Sequence, residues 1–539
     1  MCGIYGITAK DSKFINRCID RCSYRGPDGD GIWQDDTVTL GHNLLSIMAS
    51  PGMSRQPWIT PKGNILVYNG EIFNYYELKK RYVQFRLETN CDTELLAWGL
   101  DYFGLAFLND IDSQHAFAYY NVKNKTLTLS RDHVGIKPLY YCETKQGLIF
   151  GSELKIFKDK VSFDINWTAL SCYAYTGVNA LSQTYYKTIK RLLPGEIIEY
   201  DCKNKVLKKT KNFFKPSRTR TFDVEEYRNV VKNVVSNSTL GIRKIGVPLS
   251  GGLDSTIIAH ELKQIKGSVD VFSCNIAPTY KEPDEDYRLS QILSTRDKLN
   301  FTTVDISPKT IIEDWDDSIQ INEDPYMSED LPMAYRLNKV MGDNNIVVVL
   351  FGGLGDETMA GYNFYRNVKP TMDKITNKQD MFRLWLTRVP QIFKHKDLLS
   401  KEDLIDLLDE EYNNMFFDNT DILNSFMLFE CLALAPGRFF ERNDKFAMNF
   451  SMEGRYPLAS KKYIEYAFSI PSKIKNVGQT KSLVRQAYKN ILPDEIINSS
   501  KRGWDIPKDE WVSQDADYKL FNNRFKQHPN IESWFNINK

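Results

Sequence analysis

The stretch Ile245-Gly246-Val247-Pro248-Leu249-Ser250-Gly251-Gly252-Leu253-Asp254-Ser255 decides how the second half of the chain is built. Ile245 to Leu249 is a short apolar run suited to a buried strand, Ser250 to Ser255 is a glycine-bearing turn, and Thr256 to Ile265 has helical spacing. Backbone N–H groups in such a turn, at the positive end of a helix, make an anion cradle. The turn lacks the Gly-x-x-x-x-Gly-Lys-Ser/Thr of a Walker loop. Outward from it the same grammar repeats: an apolar run over 269–276, a helix from Asp284 to Leu299, an apolar run over 300–306, a helix opened by Ser307-Pro308, and an apolar run over 345–353. Apolar runs alternating with amphipathic helices imply a parallel sheet covered on both faces. From Asp380 onward helical patterning dominates.

Toward the N-terminus the period changes. Between Cys2 and Asp201 short apolar runs alternate at period two with turn signals, as in 3–8, 37–45, 65–73, 116–122, 126–132, 138–142, 148–153 and 196–200. These read as strands of antiparallel sheets, with helical spacing confined to segments such as Asp92 to Gly104. Lys203 to Arg220 is basic, rich in Thr and Lys, and reads as a connector. Two domains are therefore expected, 2–205 and 220–520.

The 539 residues carry 70 Lys and Arg against 69 Asp and Glu, so a net charge of +1 offers no field to steer the chain onto nucleic acid or an anionic membrane. No nucleic-acid or membrane partner is expected. No apolar run reaches the roughly 18 residues of a membrane span. The 9 cysteines are an odd number without paired metal-ligand spacing, which favours reduced thiols and a cytoplasmic location.

Chemistry begins at Cys2. Removal of the initiator methionine leaves a thiol and a free α-amine on one residue, and an α-amine titrating near 7.7 to 8.0 can accept the thiol proton without a separate base. Further along stand Tyr24-Arg25-Gly26-Pro27-Asp28, Gly41-His42, Asn69-Gly70-Glu71 and Asp92. This ordered set resembles the glutaminase domain of class II glutamine amidotransferases, whose N-terminal-nucleophile (Ntn) hydrolase fold is an αββα sandwich. The resemblance implies that Cys2 attacks the side-chain amide of glutamine, that Asn69 and Gly70 supply the oxyanion hole, and that Glu71 and Asp92 hold the α-amino end.

The turn Ser250-Gly251-Gly252-Leu253-Asp254-Ser255 resembles the pyrophosphate loop of N-type ATP pyrophosphatases, which implies a C-terminal parallel-sheet α/β domain of the adenine nucleotide alpha hydrolase kind with a helical C-terminal part. Phe351-Gly352-Gly353-Leu354-Gly355-Asp356-Glu357 resembles the second nucleotide loop of asparagine synthetases. So do Arg442 to Pro457, Gly478 to Arg485 and Lys501 to Pro507. By that likeness Leu249, Ser250, Gly251, Gly252, Ser255, Cys274, Phe351 and Gly352 bind ATP, Asp254 and Asp356 hold Mg²⁺, and Lys481 stabilises the adenylation transition state, with Arg485 on the same helix face. The expected substrates are glutamine, ATP, and aspartate or a related carboxylate, and the implied assembly is a homodimer. A non-catalytic sensor of glutamine or adenylate is the reading from another class.

Two positions depart from the family pattern. Leu44, in His42-Asn43-Leu44-Leu45-Ser46-Ile47, stands where the family has the Arg that binds the α-carboxylate of glutamine, and Arg55 is the substitute expected from the sequence. Gly353 stands where asparagine synthetases carry an acid, and Glu329 and Asp330 are the candidate replacements.

Overall fold

The computed structural model describes residues 2–216, 220–276, 284–325, 330–502 and 506–527. Glu329, and Gly503 to Asp505 of the Lys501 motif, lie outside the described residues.

Residues 2–211 form a four-layer αββα sandwich. One antiparallel sheet runs, edge to edge, Lys190–Arg191, Tyr140–Thr144, Gly147–Gly151, Cys2–Ile7, Thr39–Leu44 and Gly29–Gln34. The other runs Val206–Lys211, Glu196–Asp201, Thr126–Arg131, Ser113–Asn121, Ile65–Ile72 and Trp58–Ile59. Between the sheets lie Ile4, Leu40, Val67, Ala118, Leu129 and Phe150, fully buried and drawn from alternate positions of their strands. The helices Ser12–Arg21 and Asp92–Phe103 cover the outer faces, burying Phe14, Ile15, Leu95 and Leu96.

Val206–Lys211 corrects the expectation of a plain connector from Lys203 onward. It is an edge strand, paired antiparallel with Glu196–Asp201. Lys208 faces solvent while Lys209 and Lys211 reach Glu196 and Glu411, so the strand lacks the apolar alternation of a half-buried one, and charge on an edge discourages pairing with other chains.

The second half holds a five-stranded parallel sheet in the order Asn300–Ile306, Asp270–Ile276, Ile245–Pro248, Val348–Leu350, Glu453–Arg455. Leu253–Lys266 and Glu285–Asp297 pack on it, and Pro308–Asn322 starts at a Ser307 capping box. The last strand matters most for position. Glu453–Arg455 closes one edge of this sheet while its side chains reach into the sandwich, so it is shared masonry between the two halves.

The halves meet along a buried polar seam. Arg25 pairs with Glu153 at 2.6 Å and with Asp444 at 2.9 Å. Gln114 Nε2 and Lys137 Nζ donate to the Gly454 carbonyl at 3.2 and 3.1 Å, and Arg131 pairs with Glu441 at 3.0 Å. Such charges endure burial only when paired, so the seam fixes one relative placement of the sheets. No single helix among the described residues is long and apolar enough to cross a membrane.

Candidate active sites

Cys2 opens the strand at the middle of the first sheet, directly opposite Leu44 in register. Asn69, Gly70 and Glu71 lie on Ile65–Ile72 of the second sheet, and Asp92 begins the helix Asp92–Phe103. Packing the two sheets brings Cys2, Gly70, Glu71 and Asp92 to one pocket of about 30 Å³, with Leu44, Leu45, Gln56, Tyr68 and Glu453 in its wall. The Cys2 backbone nitrogen donates to Asn69 Oδ1 at 3.0 Å, while Asn69 Nδ2 is buried without a hydrogen-bond partner. A buried donor left open is costly unless something arrives to accept from it. Gly70 is required by close approach, since a Cβ there would stand 2.3 Å from the Gln114 carbonyl oxygen.

Burial pushes the Cys2 thiol above its ordinary value, so a neighbouring base is needed to draw off its proton. Burial also lifts Asp92 to about 6, although Ile72 N and Tyr68 OH donate to its Oδ2 at 3.1 Å each. His42 is buried, pushed down to about 3 and therefore neutral, as suits a packing residue.

Glu71 is held from the other half of the chain. Its Oε2 pairs with Arg455 at 2.6 Å, and its Oε1 is buried without a hydrogen-bond partner. Arg455, fully buried, also pairs with Glu453 and donates to the carbonyls of Ser238 and Leu240 at 2.9 and 2.6 Å. Glu453 and Arg455 lie in the Arg442 to Pro457 segment, and no local signal connects residue 455 to residue 71. Arg55, the expected substitute for the missing guanidinium, is exposed and absent from the pocket wall. The side chain that lines the pocket beside it is Gln56, tied to Tyr68 by two hydrogen bonds of 3.2 and 2.6 Å.

The second site lies at the C-terminal ends of the parallel strands, where ligands bind in open α/β sheets. A cavity of about 320 Å³ is lined by Ser250, Gly251, Gly252, Asp254, Ser255, Phe351, Gly352, Asp356, Lys481 and Lys501, among others. It adjoins a smaller cavity of about 170 Å³ with Leu249, Phe272, Cys274, Ile276 and Met333 on its apolar side and Asp284 and Glu285 on its polar side, and Pro248, Ser250, Asp286, Leu337 and Arg502 are common to both. Gly251 has φ +69°, and a Cβ there would meet the Asp286 carbonyl oxygen at 2.3 Å, so the turn needs glycine.

Lys481 joins the two loops. Its ammonium bonds Asp254 and sits 2.6 Å from Asp356 Oδ1, and Lys501 holds Asp356 Oδ2 at 2.7 Å. Burial pushes Asp356 up, but the two ammonium groups outweigh it and hold the carboxyl down at about 2. Burial disfavours the Lys481 charge as well, and Asp254 and Asp356 more than compensate. The expectation of Lys481 and Arg485 on one helix face is corrected here. The helix is Ser482–Tyr488, and Lys481 precedes it with φ +55°, turned inward by the two carboxylates. Arg485 instead caps backbone, donating to the carbonyls of Thr480, Ile497 and Ser499.

At Gly353 a Cβ would stand 3.0 Å from Tyr456 Cδ1, so the ring of Tyr456 occupies the room an acid would use. That ring stacks on Phe351 at 5.3 Å and meets Phe440 edge-on at 4.7 Å. Asp330 does not line the cavity. It pairs with Arg442, which does, at 2.8 Å. Besides Asp254, Asp286 and Asp356 the cavity is faced by Glu357, which is buried, raised by that burial, and accepts from Tyr362 OH at 2.7 Å.

Comparison with known proteins agrees with this two-part construction. Residues 1–213 match a family described as glutamine amidotransferase domain. Asparagine synthetase [glutamine-hydrolyzing] 3 of Bacillus subtilis (strain 168) is 26% identical over 548 residues, covering 93% of this chain and 86% of its own length. Asparagine synthetase [glutamine-hydrolyzing] 1 of the same organism is 26% identical over 566 residues, covering 96% and 88%. Amidase chry2 of Gibberella zeae is 22% identical over 574 residues, covering 92% and 85%. Residues 226–536 match the asparagine synthase family, more than half of the 539 residues, and the chain belongs to that family.

Proposed function

We propose that this chain is an amide ligase that hydrolyses glutamine at Cys2 and uses ATP to activate the β-carboxylate of aspartate, releasing asparagine, AMP and pyrophosphate. With residue 1 removed, the Cys2 nitrogen is an α-amine already placed on Asn69 Oδ1. It takes the thiol proton as Sγ attacks the amide carbon. The open Asn69 Nδ2 and the Gly70 N–H receive the developing oxyanion. Glu71 Oε1 and Asp92 face the ammonium of the substrate.

In the second site the apolar side of the smaller cavity, formed by Leu249, Phe272, Cys274, Ile276 and Met333, suits adenine, and the Ser250 turn receives phosphate oxygens. Asp254 and Asp356 converge on a single ammonium, so two anionic oxygens already face one point beside the phosphate turn. That donor set fits Mg²⁺, which takes one or two carboxylates together with substrate phosphates: Asp254 and Asp356 would hold the ion, and it would supply charge neutralisation for the pyrophosphate. Lys481, held by Asp254 and Asp356 in the cavity wall, would offer its ammonium to the phosphate oxygens.

One observation supports the reading most strongly. Glu453 lines the Cys2 pocket and Tyr456 lines the nucleotide cavity. Tyr456 directly follows the strand Glu453–Arg455, three residues from Glu453, about 10 Å at the ordinary rise of extended chain. Ammonia released into water at neutral pH is mostly protonated and unreactive, so a short buried route past this strand keeps it nucleophilic. The test is a coupled assay with glutamine, ATP and aspartate. Cys2→Ala should abolish glutamine-dependent asparagine formation and leave ammonium-dependent formation in place, whereas loss of both rejects the division of labour.

Gly353 favours a second reading, the same chemistry on another carboxylate, because the aromatic wall of Phe351, Tyr456 and Phe439 replaces an acid at the acceptor end. An acceptor screen scored by AMP release separates the two, and aspartate inert beside another active acid would reject the first.

A further inference from the structure

The Cys2 pocket is charged in a lopsided way. Glu71, Asp92 and Glu453 all line it, and among the described residues no Lys, Arg or His side chain does. Free glutamine brings an ammonium, which those carboxylates suit, and an α-carboxylate, which they repel. The position directly opposite Cys2 in the ladder holds Leu44, an apolar side chain in the pocket wall buried to 4% exposure. Arg55 points into solvent. Two buried guanidiniums stand behind the wall: Arg455, whose nitrogens are committed to Glu71, Glu453 and two backbone carbonyls, and Arg25, which donates to the Cys2 carbonyl at 3.3 Å and pairs with Glu153 and Asp444. A guanidinium held by two carboxylates has no fork left for a third.

We propose that this pocket recognises its amide donor by the ammonium end alone, and that it accepts glutamine whose α-carboxyl is masked as a neutral amide about as well as glutamine itself. The inference rests on the glutaminase reading given above and narrows it to a substrate class, γ-carboxamides that carry a free α-amine. L-Glutaminamide is the sharpest probe, because it exchanges one carboxylate oxygen for an NH₂ of nearly equal size and adds no bulk. The chemistry is unchanged. Sγ bonds to the carbonyl carbon of the γ-carboxamide as its C–N bond breaks, the amide nitrogen leaves as NH₃ with the thiol proton, and water cleaves the thioester to give isoglutamine and the free thiol.

The experiment measures kcat/KM for glutamine and for L-glutaminamide at one pH on the processed full-length enzyme, following glutamate and isoglutamine by mass spectrometry. Values within tenfold of each other are expected, and Leu44→Arg should then move the ratio at least tenfold toward glutamine. A preference of the unaltered protein for glutamine above tenfold overturns the inference. So does a ratio unmoved in a Leu44→Arg protein that still hydrolyses glutamine. Should that variant fail to fold, the ratio of the unaltered protein decides alone. Hydrolysis of neither compound defeats the glutaminase reading itself, whereas glutamine cleaved and glutaminamide refused defeats only this narrower claim.

Discussion

Arg455→Met removes the one guanidinium that ties the parallel sheet to the thiol pocket. The side chain is fully buried and holds Glu71 at 2.6 Å, Glu453, and the carbonyls of Ser238 and Leu240. Methionine keeps most of the volume, so the loss is one of charge and hydrogen bonds rather than packing. Breaking a buried pair by deleting one partner costs about 3–5 kcal/mol, because the other charge is left buried and uncompensated. At about 2–4 °C per kcal/mol for a domain of this size, the first thermal unfolding transition should fall by roughly 6–20 °C. Glutamine hydrolysis should fall with it, since burial already raises Glu71 and Arg455 is the strongest influence holding it down, so losing that guanidinium beside Asp92 and Glu453 raises Glu71 further and weakens its grip on the substrate ammonium. Adding Glu71→Gln to Arg455→Met should restore part of the melting temperature but not the glutaminase activity. Differential scanning calorimetry with a glutamate-release assay reads both. A shift under about 2 °C with glutaminase intact would mean that the Glu71–Arg455 pair neither fastens the seam nor sets the pocket charge.

Asp92, lifted to about 6 by burial, gains its proton as pH falls through that value, so KM for glutamine should be flat above 6 and rise roughly tenfold per pH unit below it. A KM constant from pH 7 to 5 speaks against Asp92 as the ammonium ligand. Glu453 behaves oppositely: burial pushes it up but Arg455 holds it at about 2, so its stabilising contribution is present above the ordinary glutamate range and is lost as pH drops toward 2, visible as acid-induced melting. Gly361→Ala would put a Cβ 1.9 Å from Asp356 Oδ1 and 2.6 Å from Lys481 Cε. Displacing that pair by about an ångström should cost ATP-dependent pyrophosphate release about 100-fold and leave glutaminase untouched, and equal loss of both activities would point to misfolding instead. Glu357→Gln should reduce ammonium-dependent amide formation about 100-fold while pyrophosphate release persists, if Glu357 takes the proton from the attacking nitrogen. Undiminished amide formation removes it from that role.

The residues legible in the sequence are those whose neighbours in space are neighbours in the chain. Asn69, Gly70 and Glu71 share one strand, and the Ser250 turn is a local strand-to-helix device, so their motifs carried enough information to place them. What escaped was set by contacts across hundreds of residues. Arg455 reaches Glu71 from 384 positions away, and nothing in either local sequence announces the pair. Arg55 looked available because it sits beside Gln56-Pro57, but the backbone turns the Gln inward and the Arg outward. Helical spacing suggested a shared face for Lys481 and Arg485, yet attraction to Asp254 and Asp356 holds Lys481 in a left-handed conformation before the helix begins. Val206–Lys211 was silent because a lysine-bearing edge strand has no apolar period to detect.

The claim on which the account depends is that nitrogen passes inside the molecule, along the strand Glu453–Arg455, from the thiol pocket to the nucleotide cavity. Glutamine labelled with ¹⁵N at the side-chain amide, supplied with ATP, the acceptor and excess unlabelled ammonium, tests it directly. The account predicts an amide product carrying mostly ¹⁵N, and a product whose label matches the ammonium in solution would contradict it.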